Sequence, residues 1–532
     1  MFKRLISIAA IAGLAFSATA ALAQGQPPAW KYGWENGIAT ATYPGIIKTG
    51  SPAVPIEIAA VDFGANCDGP TGTDNAAAIT TAVTYAAAHT PAVVKLPGGA
   101  LCRVNSTITI PGGVGIEGTG FASTSGLAAG ATNLTLLSLT GNSSSVRNLS
   151  IIMNAAGTNT SGVAISMGIT SYSVIENVYT EGSCDALRVN GSLHKISNNY
   201  FNLVRGAACN AVTVGNLTTL GNSIANVFDH VTVACNQSFP ADAGWVFSDA
   251  GGNFIRSSDA IFCTTGTKLI PGANQQVIWN TFTGTMLGDT NASTTLVIDT
   301  AAASAQVKGN SFEQAWASSS VAGGTVVIGN TAGGVVKGLY FDGLRAFGSS
   351  GNTFTVSGTP ELSVSNSFIC GYAGAGFNLL ASASNIRITD TVIQPNCANQ
   401  TSTGTIGVNF NGTNADIVLE GNDTAGNSTQ AAGVPTGNSI VKNNRTTSNL
   451  FQVVASAGTT ALTSISDNWT ITGTTAVTNL TGAWNGRTVQ IVTPDGVVAF
   501  NSGGNICTSV SSVQNRPLIA TFQSTFGCWI IN

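Results

Sequence analysis

Through the middle of the chain, apolar and polar residues alternate in short bursts, each broken at Asn, Asp or Gly. Segments such as Ala211-Val-Thr-Val214 and Thr325-Val-Val-Ile328 carry the two-residue period of strands, without the 3.6-residue period of a helical solenoid. One unit recurs: an aliphatic residue, Asn or Asp two to four places on, and a large apolar residue two places later. It reads Val174-Ile-Glu-Asn177-Val-Tyr179, Ile196-Ser-Asn-Asn199-Tyr-Phe201, Ile224-Ala-Asn226-Val-Phe228 and Val277-Ile-Trp-Asn280-Thr-Phe282. Further copies centre on Asn310, Asn366 and Asp390, and weaker ones on Asn148, Asp259 and Asp342. Successive copies lie 21 to 33 residues apart. Short strands turned at residues that tolerate the left-handed region predict an all-β fold, a right-handed single-stranded parallel β-helix. Its coils would stack at about 4.8 Å, with Val, Ile and Phe columns inside and Asn ladders at the corners. An array of β-sandwiches is the alternative, but its loops would not keep a single Asn phase.

The cysteines supply a check on register. Cys184-Asp-Ala-Leu-Arg-Val189 and Cys209-Asn-Ala-Val-Thr-Val214 align without a gap, so on neighbouring coils Cys184 and Cys209 would come within disulfide reach. Cys235 with Cys263 and Cys370 with Cys397 align more weakly as coil neighbours. Ten cysteines, no CxxC and three histidines argue for disulfides rather than a Cys-ligated metal.

Composition narrows the partners. Only 8% of residues are charged, 43% are hydrophobic, 63 are Gly, and the net charge of −4 argues against nucleic acid. Lys3 and Arg4, an apolar run from Leu5 to Phe16 and Ala21-Leu-Ala23 have the form of a cleaved export signal over 1–23, too short to span a membrane. A secreted or periplasmic protein with no membrane span is expected. An N-terminal segment would follow over 24–58, a β-helix over 59–450 and a small C-terminal β-domain over 455–532.

A β-helix needs its open ends covered. Thr73 or Asp74 can cap a helix from Asn75 to about Ala88, with Ile79, Val83 and Ala86 or Ala87 turned to the first coil. This helix sits in a longer pattern: Val61-Asp-Phe-Gly-Ala65, Cys67-Asp-Gly69, Thr73-Asp74, Val94-Lys-Leu-Pro-Gly-Gly99, Ile108-Thr-Ile-Pro-Gly112 and Val114-Gly-Ile-Glu-Gly118-Thr-Gly120. Over residues 59 to 120 it resembles the start of the pectate lyase superfamily domain, shared by rhamnogalacturonase-like, epimerase-like and tailspike-like β-helix proteins. Where that family often has an aromatic residue, Leu101-Cys102 stands here; Cys67 with Cys102 would tie the cap to the first coil. The strands from Trp484 to Ile531 resemble modules closing some tail-fibre and tailspike-like chains, with Cys507 and Cys528 as their staple.

The resemblance implies action on acidic or complex polysaccharide, by hydrolysis or elimination. The Asn-Thr-Asp, Asp-Asp, Gly-His-Gly and Arg-Ile-Lys elements of polygalacturonase-type members do not occur, so that mechanism is not carried over. No cofactor is expected; calcium would need a grouped set of carboxylates, which the sequence does not show. The candidate catalytic residues are Asp229, Glu181, His230 and Arg205. Asp229 and Glu313 share one phase three coils apart, about 14 Å and too far for a pair, so Asp229 is matched with Glu181. Asp229-His230 is a possible carboxylate–imidazole base, although neighbours on a strand face opposite sides. Arg188, Asp185, Trp245 and Glu313 are the candidate substrate-binding residues, the first for uronate carboxylates and Trp245, like Trp316, for stacking on sugar rings. With Glu176 and Asp249, they suggest a groove along 176–260. A lyase or glycoside hydrolase of unknown linkage leads, a non-catalytic binding or adhesive protein is the alternative, and the chain would be a monomer or a homotrimer.

Overall fold

A computed structural model describes residues 55–121, 125–215, 223–319, 324–397, 402–433, 435–445, 452–462 and 466–532. The export signal expected over 1–23, and all but the last few residues of the 24–58 segment, lie outside them. From Ile56–Ala59 to Ile440–Lys442 every strand pairing is parallel, one strand segment above the next. The chain is a parallel β-helix.

Register defines its columns. Lys95, Glu117, Arg147, Glu176, Ser197, Asp229, Arg256, Thr283, Glu313, Asp342, Ser365, Thr389, Glu420 and Lys442 pair in turn across successive rungs and form one outward line. One residue earlier lies an inward line that includes Ile175, Ile196, Phe228, Ile255, Phe282, Phe312 and Phe341. Phe282, Phe312 and Phe341 stack with centroids 4.9 and 4.5 Å apart. Identical side chains on successive coils thus make a continuous core from local repeats.

One residue after the outward line, the backbone turns. Asn148, Asn177, Asn198, His230, Ser257, Gly284, Gln314, Gly343, Asn366, Asp390, Gly421 and Asn443 all have positive φ there. A second corner lies five residues earlier, at Tyr172, Leu193, Ala225, Gly252 and Trp279. Directly after this earlier corner runs a buried ladder. The His194 amide donates to Asn226 Oδ1, the Asn226 amide to Asn253, the Asn253 amide to Asn280 and the Asn280 amide to Asn310, at 2.9–3.1 Å. The single Asn phase expected from the sequence is therefore two. Asn226, Asn280 and Asn310 belong to the earlier corner, and Asn148, Asn177, Asn366 and Asp390 to the later one.

Helix α1, Ala76–Ala87, closes the N-terminal end by burying Ile79, Val83 and Ala86. Asp74 Oδ1 accepts from the Ala76 amide at 3.0 Å and so caps it. Beyond the coil, Gln452–Ala455, Asn468–Thr472 and Thr488–Val492 still pair in parallel; Leu518–Gln523 and Cys528–Ile531 then add antiparallel. These strands share a separate apolar cluster around Trp469, Ile491 and Trp529. Buried Arg487 packs over Trp484, donates to the carbonyls of Leu462, Ser466 and Gly482, and burial brings its guanidinium down to about 9. All five expected disulfides form, with Cα atoms 4.1 Å apart for Cys67–Cys102, 5.0 Å for Cys184–Cys209, 4.9 Å for Cys235–Cys263, 5.9 Å for Cys370–Cys397 and 5.3 Å for Cys507–Cys528. Leu187, Arg188 and Val189 pair with Val212, Thr213 and Val214, so the gapless alignment from Cys184 and Cys209 is the register of the coil.

Candidate functional site

Three positions after the outward charged line runs a second outward line: Tyr179, Tyr200, Thr232, Asp259, Met286, Trp316, Arg345, Phe368 and Val392. Its neighbours on either side in sequence point into the core, as pleating requires. The two lines flank the later corner and follow it along the stack.

Charge pairing along the first line is nearly complete. Glu117 meets Lys95 at 3.1 Å, Glu176 meets Arg147 at 3.7 Å and Lys195 at 3.5 Å, Asp229 meets Arg256 at 3.3 Å, and Glu420 meets Lys442 at 3.0 Å. Glu313 and Asp342 are the exceptions: they stand on adjacent rungs, and neither has a cation partner among the described residues. Glu313 Oε2 accepts only a long bond from Thr283 Oγ1 at 3.4 Å. Asp342 Oδ1 accepts from Ser365 Oγ at 3.0 Å and Asn366 Nδ2 at 2.8 Å.

From the corner residues Gln314 and Gly343, each one past these acids, opens a groove of about 970 Å³ whose lining includes neither acid. Its walls include Trp316, Arg345, Phe347, Phe368, Asn366 and Asp390. Trp316 is 36% exposed and packs 4.6 Å from Phe347, which in turn meets Phe368 at 5.8 Å. Arg345, three residues after Asp342, makes no ion pair among the described residues. The groove therefore offers apolar ring faces, an unpaired guanidinium and the carboxylate of Asp390, while Glu313 and Asp342 stand outside its lining, just before the corner at Gln314 and Gly343.

The residues chosen from sequence are placed less favourably. Trp245 is 1% exposed and packs edge-on against Phe228 at 5.4 Å inside the coil, so it cannot stack on a sugar. Asp185 is buried, binds Arg188 at 2.5 Å and accepts from the Asn210 amide; it orders the coil and occupies Arg188. Asp249 is buried as well. Arg205 lies on a different strand from Arg188, stacks above Ser183 and donates to Thr158, so the two guanidinium groups form no clamp. The Cys184, Asp185 and Cys209 ligand atoms cluster, but the sulfurs are joined to each other.

Glu181 and Asp229 are not partners. Glu181 pairs with Asn202, whereas the rungs below Asp229 hold Ser197 and then Glu176. Asn177 belongs to the later corner and Asn226 to the earlier one, so offsets from the two do not reach the same column. Asp229 and Glu313 do share one line, three rungs apart. His230 lies at the corner with φ 54°, which swings its ring to the same side as Asp229, Nδ1 standing 3.0 Å from Oδ1; the opposite-face expectation fails because this residue is a turn. No single groove along 176–260 gathers these groups. The 313–392 site is half visible in Glu313 and Trp316; Asp342 stands out only as a weak copy of the repeat, and Arg345 and Phe347 carry no local motif.

These features define a parallel β-helix with an outward polar and aromatic groove beside one corner. No family model matches the chain, and no curated protein matches it in sequence. Among solved structures, gene product 12 of bacteriophage phi29 in its pre-mature form superposes with a TM-score of 0.53 at 12% identity, over 79% of this chain and 62% of that one. The tailspike protein of E. coli bacteriophage HK620 gives 0.49 at 9% identity, over 90% and 92%. The catalytic unit of a GH87 α-1,3-glucanase from Streptomyces thermodiastaticus gives 0.40 at 14% identity, over 75% and 69%. What the chain shares with the phi29 protein is the fold alone, and it spans less than two thirds of that protein.

Proposed function

We propose that the chain binds an extended polysaccharide in the groove that holds Trp316 and Arg345 and hydrolyses its glycosidic bonds at Glu313 and Asp342, on the other side of the adjoining corner. The carrying observation is that Glu313 and Asp342 stand side by side without cations, in a line whose other acids are ion-paired. Trp316 offers a ring face for a sugar, and Arg345 suits a carboxylate or a cluster of hydroxyls. Asp342, oriented by two donors, is the group to attack the anomeric carbon. Glu313, more loosely held, gives its proton to the departing glycosidic oxygen and then takes one from the water that completes hydrolysis. The rung spacing of about 4.8 Å suits the short carboxylate separation of a retaining enzyme. The disulfides fit an oxidising compartment, supporting a secreted or periplasmic protein.

A panel of pectins, alginate and bacterial exopolysaccharides tests this reading. New reducing ends are expected, with the anomeric configuration retained, and Glu313→Gln or Asp342→Asn should lower the rate by about 100-fold or more. Unsaturated, ultraviolet-absorbing ends would overturn hydrolysis in favour of elimination. A second reading, binding without cleavage, draws on the two bonds that tie Asp342 into the neighbouring coil. Tight glycan binding with no new ends from any polymer would favour it.

A further inference from the structure

The line that carries Trp316 and Arg345 has an aromatic cluster at its other end. Tyr179 and Tyr200 stack on adjacent rungs, centroids 5.9 Å apart and planes 15° from parallel. Phe121, 40% exposed, stands edge-on to Tyr179 at 5.9 Å. Tyr179 Oη donates to Glu181 Oε2 at 2.8 Å and accepts from Asn202 Nδ2 at 2.9 Å. Burial in this cluster pushes the Tyr179 phenol up to about 12, so it stays protonated and keeps donating. Glu181 Oε1 and Asn202 Oδ1 have no bond among the described residues. Ring edges beside a free carboxylate oxygen and a free amide oxygen are the mixture that a hydroxyl-rich ring with apolar faces requires.

From Tyr200 the line runs through Thr232, Asp259 and Met286 to Trp316. Four rung steps of about 4.8 Å make about 19 Å. All three intervening side chains are partly exposed, and none is large enough to block the path. A pyranose unit is about as long as one coil spacing, so a glycan lying parallel to the stack meets an equivalent position at each sugar.

We propose that Phe121, Tyr179, Glu181, Tyr200 and Asn202 form a second carbohydrate subsite, engaging a distant stretch of the same polysaccharide chain that occupies the 313–392 groove. The class of ligand rests on the reading of that groove; the remote subsite stands on its own cluster and on the shared line. It makes the protein a binder of long chains, acting within a polymer rather than on short ends.

The test uses whichever polymer of the panel retards the full chain in affinity electrophoresis, together with size fractions from its partial hydrolysis. Affinity should rise steeply once a fraction is long enough to span the two clusters. Phe121→Ala and Tyr200→Ala should weaken binding of the long fractions about tenfold and leave the short ones unchanged, whereas Trp316→Ala should weaken both. Thermal melting checks each variant; if Tyr200→Ala unfolds, exposed Phe121→Ala with Glu181→Gln carries the test. Long fractions bound equally by wild type and remote-cluster variants, with Trp316→Ala still deficient, would overturn the second subsite alone. Failure of the wild type to bind any polymer would remove the groove reading and this one with it.

Discussion

His194 occupies a ladder position that Asn holds on the next four rungs. Its Nδ1 accepts from the Ser173 amide at 3.1 Å, its own amide donates to Asn226, and Nε2 faces the Asn190 carbonyl at 3.3 Å. The ring is fully buried and burial brings it down to about 4, so it is neutral in the folded chain at neutral pH. An unfolded chain protonates this ring near pH 6.5, so stability is complete above that value and falls as the pH drops toward 4. The loss amounts to about 3 kcal/mol. His194→Asn should flatten this decline, and the difference between its thermal midpoints at pH 7 and pH 4.5 should shrink relative to wild type; an unchanged difference would place the acid sensitivity elsewhere. At this scale the sequence is least legible. Trp245 follows Ala-Gly and precedes Val, and Trp316 stands between two Ala; both sets of neighbours are small or aliphatic, and only the coil register decides that one ring enters the core and the other meets solvent.

Strand, corner and coil are the elements, and the two corners do different work. Asn253 binds inside the coil four ways: its side chain accepts from the Asn226 amide and carboxamide and donates to Ser223 and Asn280. Asn443, at the other corner, is exposed and serves a positive φ of 58°. Asn253→Ala should therefore cost about 2–3 kcal/mol by orphaning buried groups, whereas Asn443→Gly should stay within about 1 kcal/mol of wild type. Thermal or denaturant unfolding of both variants checks this; equal effects would mean that the corners are equivalent after all. The existence of coils was legible because strand period, Asn spacing and the Cys184/Cys209 alignment all agreed. The phase was not, because Asn suits both an αL corner and an inward ladder four residues before it, so one residue type serves two positions. The two phases put Glu181 and Asp229 on different columns and bring Glu313 beside Asp342.

Taken as a whole molecule, the chain is held by neighbours. Each disulfide joins residues 21 to 35 apart in sequence, linking segments that the fold has already placed side by side. The N-terminal cap could be read in advance, since its helix carries both a capping acid and an apolar face. The C-terminal end could be read only as a change of texture: in its five-stranded sheet three strands continue the parallel stacking and the last two run antiparallel.

That reversal covers an edge. Leu518–Gln523 occupies the edge of Thr488–Val492 that another parallel strand would otherwise take. A chain ending before Leu518 would leave that edge bare, and the best partner for it in solution is the same edge of a second molecule. Because α1 shuts the far end, assembly should stop at two chains rather than run on into fibres. Light scattering of the shortened chain across a concentration series should plateau at twice the single-chain mass. A constant single-chain mass would show that the hairpin is not what keeps molecules apart.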